Sequence, residues 1–315
     1  MNKPKGLKKG DVIGIVSPAS PSQNKSELTR CLAWLDEHGY HTVVGKNVNK
    51  TKGLTAASEE ERASDLNEMF ACKDVDAVFC TQGGYGSAQL YRYLDFDMIG
   101  KNPKIFTGFS DITSLHLMFN KLCNFVTFHG PGIARFNSEE LTDYTMTQFF
   151  KAIEAGAPLG RIPLADEKKW LNIFGKGVAE GTLIGGNLSL LCASLATPFE
   201  PDFKDKILLL EEVETEPWSI DHMFSHLRNS GKLDQVAGIV VGECRDCAPF
   251  KHNPGFFCDT GLEDILEHYL SPLGIPVLHG LPLGHTTDIA TLPLGVRVML
   301  NADNKTLDVM ESGVI

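Results

Sequence analysis

The sequence predicts a parallel α/β protein built in two units, and three observations carry this expectation. In the first half, short apolar runs alternate with stretches of helical spacing, the pattern of strands joined by crossover helices. The segment 137–176 changes character: a polar helix leads into a Gly- and Pro-bearing stretch and the charged run Asp166, Glu167, Lys168 and Lys169. Beyond it apolar runs resume, and 315 residues is too long for one small core. The expected division is an N-terminal domain over 1–155, a linker over 156–177 and a second β/α domain over 178–315.

The run Val-Ile-Gly-Ile-Val at 12–16 reads as a buried strand. Leu28, Cys31, Leu32 and Leu35 follow at helical spacing and stop at Gly39, a natural helix end. His41 to Val44 is the next strand. Ser58 with Glu61 three residues later forms a capping box for a helix running through Met69. Val75 to Cys80 is a strand, and the turn Gln82-Gly83-Gly84-Tyr85-Gly86 opens another helix. Lys104 to Phe109 is again a strand, Asp111 to Leu122 a helix, Phe125 to Phe128 a strand and Thr142 to Ala155 a helix. In the second unit, strands are expected at 178–183, 206–210, 237–241, 276–278, 295–300 and 306–310, with helices at 187–196, 219–229 and near 262–270.

Hydrophobic residues make up 43% of the chain and charged ones 22%, the balance of an ordinary globular protein, and 18 Phe supply large buried areas. The net charge of −11 repels polyphosphate and argues against a nucleic-acid partner. No window approaches the roughly 18 apolar residues of a spanning helix. The basic start, MNKPKGLKK, precedes an apolar stretch too short for a secretory signal, so the cytoplasm is the expected compartment. The eight Cys residues are accordingly read as reduced thiols, most of them small buried hydrophobes. Cys244 and Cys247, followed by His252 and Cys258, have near-zinc-knuckle spacing, but one such cluster is a weak signal; the expectation is a surface loop carrying thiols and no metal.

Ser110 stands where the apolar run 104–109 switches to the helical spacing of Ile112, Leu115 and Phe119. A strand-to-helix turn exposes a nucleophile beside free backbone amides. Gly108 supplies the first half of a G-x-S-x-G elbow, while Ile112 occupies the place of the second glycine, and serine at such a place is often only a helix cap. The glycine turn at 83–86 lacks the spacing of a dinucleotide fingerprint and reads as a backbone loop that a ligand can approach closely. His285, after Gly284, lies in a short loop between apolar segments. Glu211 closes the run Ile-Leu-Leu-Leu, at the strand end where α/β proteins place functional groups. Composition does not choose among Glu211, Glu212, Glu214 and Glu216.

Several motifs in order resemble the LD-carboxypeptidase family of serine peptidases, which includes muramoyl-tetrapeptide carboxypeptidases and microcin immunity peptidases. They are Gly10-Asp-Val-Ile-Gly-Ile-Val-Ser-Pro-Ala19, Gly83-Gly-Tyr-Gly-Ser87, Gly108-Phe-Ser-Asp111, Phe128-His-Gly-Pro131, Gly185-Gly-Asn-Leu-Ser189, Leu208-Leu-Leu-Glu-Glu212, and Gly284-His285 with Thr291-Leu-Pro-Leu-Gly295. The resemblance implies a flavodoxin-like parallel-sheet N-terminal domain, a C-terminal swivelling β/α domain and an active site between them. It puts the nucleophile on Ser110, the base on His285 and the orienting carboxylate on Glu211, with oxyanion donors at Asp111, Gly83 and Gly84. It further implies release of a C-terminal D-alanine from a murein tetrapeptide in peptidoglycan recycling, without cofactor or metal, by a homodimer. The alternative is an immunity-type hydrolase that cleaves the amide of a toxic aminoacyl-nucleotide. Gln82, where many members have Arg, and Tyr91-Arg-Tyr93 depart from the family pattern near the substrate pocket.

Overall fold

The computed structural model describes residues 1–22, 25–136, 141–154, 156–249 and 259–315. Its first sheet begins with β1 (Val12–Val16), β2 (His41–Val44), β3 (Ala77–Cys80), β4 (Ile105–Gly108) and β5 (Thr127–His129). These strands are parallel in the order β2-β1-β3-β4-β5, the flavodoxin-like arrangement. The crossovers include α1 (Lys25–Glu37), α2 (Glu59–Ala71), α3 (Phe96–Lys101) and α4 (Thr113–Met118), and α5 (Asp143–Glu154) follows the sheet. Parallel strands need such helices on their faces, and their continuous apolar runs are buried on both sides. The predicted capping box starts α2: the Glu61 amide donates to Ser58 Oγ at 3.3 Å and the Ser58 amide to Glu61 Oε2 at 3.1 Å.

The second sheet holds β6 (Gly160–Arg161), β7 (Asn172–Gly175), β8 (Val178–Asn187), β9 (Lys206–Glu211), β10 (Gly238–Gly242) and β11 (Val277–Leu281). After β12 (Leu292–Leu294), β13 (Arg297–Asn301) and β14 (Thr306–Val309) complete it, in the order β6-β14-β13-β8-β9-β10-β11-β7. Its centre, β8 to β11, is parallel, and α6 (Leu188–Ser194), α7 (Pro217–Asn229) and α8 (Leu262–Leu270) belong to this half.

Two features depart from the sequence reading. The stretch expected as a linker, 156–177, contributes β6 and β7 to opposite edges of the second sheet. At two and four residues, they are too short to show the period-2 alternation that marks a strand. In addition, β12 leaves the second domain and pairs antiparallel with β5, adding a sixth strand to the first sheet. The two apolar layers are therefore shared. One packs Phe70, Phe106 and Phe119 of the first half with Leu191, Leu208 and Phe224 of the second, and the other joins Phe79, Phe128 and Phe149 to Leu183, Leu209 and Leu292.

Candidate active site

The residues singled out in sequence converge where the two sheets meet. At the end of β4, Phe109 is extended and Ser110 takes φ +63°, a left-handed conformation that costs a non-glycine residue roughly 1–2 kcal/mol. A short 3-10 turn, Ser110–Ile112, then feeds α4. Side chains press on this bend from both sides. A Cβ on Gly108 would lie 2.8 Å from Ile112 Cγ2, and one on Gly83 would lie 2.7 Å from Ser110 Cβ. The glycine turn thus packs directly against the serine, and any side chain at 83 would displace it.

Asp111 organises that turn. Its buried carboxylate accepts from the Ser87 amide at 2.7 Å and the Gly86 amide at 3.3 Å, and Ser20 Oγ accepts from the Tyr85 amide at 3.1 Å. Gly84 and Gly86 sit at φ +105° and +103°, which is why the turn is written in glycine. The amides of Tyr85, Gly86 and Ser87 are thus committed, which leaves Gly83, packed against Ser110, and Gly84 as the first residues of the turn. Gln82 donates to the Pro21 carbonyl at 2.7 Å, pinning the start of the turn.

The opposite wall comes from the second domain. Glu211 ends β9 fully buried, and its Oε2 lies 2.7 Å from His285 Nδ1. Its other oxygen, Oε1, has no hydrogen-bond partner among the described residues. Gly284, at φ +82°, lets the loop pass over this carboxylate, because a Cβ there would lie 2.2 Å from Glu211 Oε2. His285, with 18% of its side chain exposed, faces Phe109, whose ring centroid is 4.8 Å from the imidazole. Among the described residues no hydrogen bond joins Ser110 Oγ to His285. Such contacts commonly tighten only when substrate binds.

The two carboxylates that composition left undistinguished make different contacts. Glu212 turns away from the imidazole and accepts from Ser189 Oγ at 2.6 Å, the Ser189 amide at 3.0 Å and Asn187 Nδ2 at 3.1 Å. Asn187 in turn donates its backbone N–H to Thr113 Oγ1 at 2.9 Å, joining the end of β8 to the helix behind Ser110.

Cys244 and Cys247 are not on a surface loop as the sequence suggested. Both are buried in the apolar layer, where desolvation pushes the Cys247 thiol up to about 11 and holds the Cys244 thiol well above the ordinary thiol range. His252 and Cys258 lie outside the described residues, and among the described residues no cluster of three metal-ligating side chains forms. Sequence reasoning missed three neighbours of the site. Phe109 packs its ring against His285 at an interplanar angle of 58°. His129, fully buried on β5, lies with its ring 6.3 Å from that of Phe109. Arg135 donates from Nη1 to the Thr286 carbonyl at 3.1 Å. Phe109 and His129 each lay within a motif without being singled out, and nothing in the sequence brought Arg135 close to His285, 150 residues away.

Comparison with known proteins agrees with this layout. The LD-carboxypeptidase N-terminal domain model matches residues 13–130 and the corresponding C-terminal domain model residues 180–300. A probable murein peptide carboxypeptidase of Bacillus subtilis is 39% identical, covering 99% of this chain and 95% of its own. The microcin C7 self-immunity protein of Escherichia coli is 31% identical over 96% of this chain and 94% of its own. The crystal structure of a muramoyltetrapeptide carboxypeptidase from Oxalobacter formigenes superimposes with a TM-score of 0.82 at 29% identity, covering 95% of this chain and 99% of that one. By sequence along both domains and by fold, the chain belongs to the LD-carboxypeptidase family.

Proposed function

We propose that the protein is a serine carboxypeptidase that hydrolyses an L,D-peptide bond and releases the C-terminal D-alanine of murein tetrapeptides, in peptidoglycan recycling. The observation that carries this reading is the 2.7 Å Glu211–His285 pair held against the ring of Phe109, one residue before a serine at positive φ. Glu211 accepts the Nδ1–H of His285, which leaves Nε2 as the basic nitrogen and stabilises the imidazolium once it forms. His285 takes the proton of Ser110 as Oγ attacks the scissile carbonyl carbon. The oxyanion that results is met by the peptide N–H groups of Gly83, Gly84 and Asp111, and loss of one such donor typically costs about 10²–10³ in rate. Collapse of the intermediate breaks the C–N bond, and the departing D-alanine amine takes the proton from His285. Water, deprotonated by His285, then hydrolyses the ester to free Ser110 and the tripeptide carboxylate.

Every step uses groups of this chain. The strained serine supports the reading, because a serine that merely capped a helix would gain nothing from φ +63°. The decisive experiment is Ser110→Ala with D-alanine release from a synthetic tetrapeptide as readout. Turnover should fall at least about 10³-fold, and unchanged turnover would end the proposal. The similarity to the self-immunity protein favours a second reading, cleavage of an aminoacyl-nucleotide amide by the same three residues. Comparing kcat/KM for the tetrapeptide and for an aminoacyl-sulfamoyl-adenosine separates the two. The family resemblance also supports work in the cytoplasm as a homodimer, which fractionation and light scattering would test.

A further inference from the structure

The turn that packs against Ser110 is held from behind by a buried cation. Arg62, near the start of α2, is only 1% exposed. Its guanidinium donates to four neutral oxygens: Nε to the Ala57 carbonyl at 3.2 Å, Nη1 to the carbonyls of Pro18 and Gly86, the latter at 2.9 Å, and Nη2 to Gln89 Oε1 at 2.8 Å. Among the described residues it forms no ion pair. A charge taken out of water and given only neutral partners is costly to keep. We propose that Arg62 is a positioning residue for the oxyanion turn, one that fixes Gly86 and offsets the charge of Asp111. The inference rests on the serine carboxypeptidase reading above and names the group that stands behind its oxyanion site.

Gly86 is gripped at both of its polar groups. Its N–H donates to Asp111 Oδ1 at 3.3 Å and its carbonyl accepts from Arg62, so a single glycine separates two buried opposite charges. Asp111, 4% exposed, also takes the Ser87 amide at 2.7 Å. The glycine between them has no room to shift: a Cβ on Gly86 would lie 2.7 Å from Thr55 Cγ2 and 3.3 Å from Arg62 Nη1. At its other end the same turn presses Gly83 on Ser110. Pro18 lies after β1, Ala57 before α2 and Gly86 after β3. The guanidinium thus ties three segments at the carboxyl edge of the first sheet, the edge at which Ser110 leaves β4.

The charge matters as well as the grip. Asp111 directly follows Ser110, and its own N–H is one of the proposed oxyanion donors. An anion fixed there opposes the negative charge that develops on the carbonyl oxygen as Ser110 attacks. Arg62 stands across Gly86 from that carboxylate and offsets it, which leaves the amide dipoles of Gly83 and Gly84 to act on the oxyanion. A lysine would keep the charge but lose the planar fork that reaches the carbonyls of Ala57, Pro18 and Gly86 together. Gln89 completes the arrangement. Its exposed side chain covers Nη2 with an uncharged oxygen, so the positive charge is not cancelled from the solvent side.

Gln89 also supplies the test. Gln89→Glu is nearly isosteric, keeps the hydrogen bond to Nη2 and sets a carboxylate against the guanidinium, cancelling its charge without loosening Gly86. The variant should resist urea at least as well as wild type. Its kcat for D-alanine release from a synthetic tetrapeptide should nevertheless fall about 10-fold, with KM within about twofold, because only the oxyanion-bearing state is affected. Arg62→Met removes charge and grip together and should lose about 10²-fold in kcat, the scale of one oxyanion donor. Arg62→Lys should recover part of that loss. The rate at which a fluorophosphonate labels Ser110 is measured in parallel, since phosphonylation develops the same oxyanion without needing a peptide. A role confined to stability predicts the reverse pattern: urea unfolding shifted in both Arg62 variants, with kcat and labelling of Gln89→Glu unchanged. Wild-type kcat or a wild-type labelling rate in Gln89→Glu overturns the proposal, whether or not Arg62→Met folds, and so does a loss confined to KM. A wild type that labels but leaves the tetrapeptide uncut sinks the carboxypeptidase reading, and slower labelling of Gln89→Glu would then still uphold Arg62. A wild type that neither cuts nor labels sinks both.

Discussion

Replacing Gly284 by alanine tests the link between Glu211 and His285 without touching either side chain. The added Cβ would lie 2.2 Å from Glu211 Oε2 and 2.6 Å from its Cδ and Cγ, distances that real Cβ atoms do not reach. Glu211 has no exposed surface into which to retreat, so the carboxylate must turn off the imidazole or the loop must lift. Alanine at φ +82° adds about 1–2 kcal/mol of backbone strain. Loss of an orienting carboxylate in a triad lowers kcat by about 10⁴, so Gly284→Ala should lose 10³ to 10⁴ in turnover, as orders of magnitude on that principle. Its stability should fall by about 2–5 kcal/mol, from strain and local overpacking. Gly231→Ala is the control: it too has positive φ, but nothing lies within 4 Å of its Cβ, so it should lose stability and keep activity. The assay pairs D-alanine release with urea unfolding of both variants. Turnover in Gly284→Ala within threefold of wild type would refute the reasoning, because it would show that the Glu211–His285 contact has no part in the rate.

Two further outcomes follow from the geometry. Glu211→Gln should lower kcat by about 10³–10⁴. Glu212→Gln should instead cost about 1–3 kcal/mol of stability, through lost bonds to Ser189 and Asn187, with most turnover retained. The opposite order would mean that the two carboxylates had been assigned the wrong way round. The buried imidazoles of His116 and His129 are both pushed down to about 3 by desolvation, so they stay neutral in the folded protein while the unfolded chain protonates them near 6.5. The unfolded state then binds more protons between these values, and stability must fall with pH through that window. The loss is about 1.4 kcal/mol per pH unit for each histidine, or about 4 kcal/mol for the pair between pH 7 and pH 5. Urea titrations across this range should show that slope, and His129→Gln should remove close to half of it; an unchanged slope in the variant would refute the assignment.

The legible parts of the fold were those written in continuous apolar runs and strong end signals. The run 206–210, the Ser58–Glu61 capping box and the helix 262–270 all form close to where pattern and caps place them. The strands β6, β7 and β12 were not legible, since two to four residues carry no periodicity, and β12 even holds a proline, permitted because it pairs at the sheet edge. At the site, the switch of period at the strand end pointed to Ser110, while the residues alone offered four acidic groups without ranking them and only the family resemblance chose Glu211. Alternate side chains at the end of β9 take opposite directions, Glu211 toward the imidazole and Glu212 toward Ser189, a difference that composition does not carry. Arg135 was invisible because its relation to His285 exists only once β5 and β12 pair.

That pairing bears on how the site holds together. His285 lies on the connection that leaves β11 in the second sheet and enters β12 in the first, so its imidazole is strung between the two domains rather than mounted on one. The connection is pinned on both sides. The Ala290 amide donates to the Pro282 carbonyl at 2.8 Å, Thr142 Oγ1 donates to Asp288 Oδ1 at 2.7 Å, and the Ile289 amide donates to Thr145 Oγ1 at 2.9 Å. After β12 the chain returns through Gly295, whose amide meets the Leu183 carbonyl at 2.8 Å, back into the second sheet. Two crossings therefore bracket the site, and opening the cleft by rotation would have to break the Leu292–Leu294 ladder against β5, whose His129 lies behind Phe109. The same strand that escaped sequence analysis thus ties the connection carrying His285 to the sheet that carries Ser110.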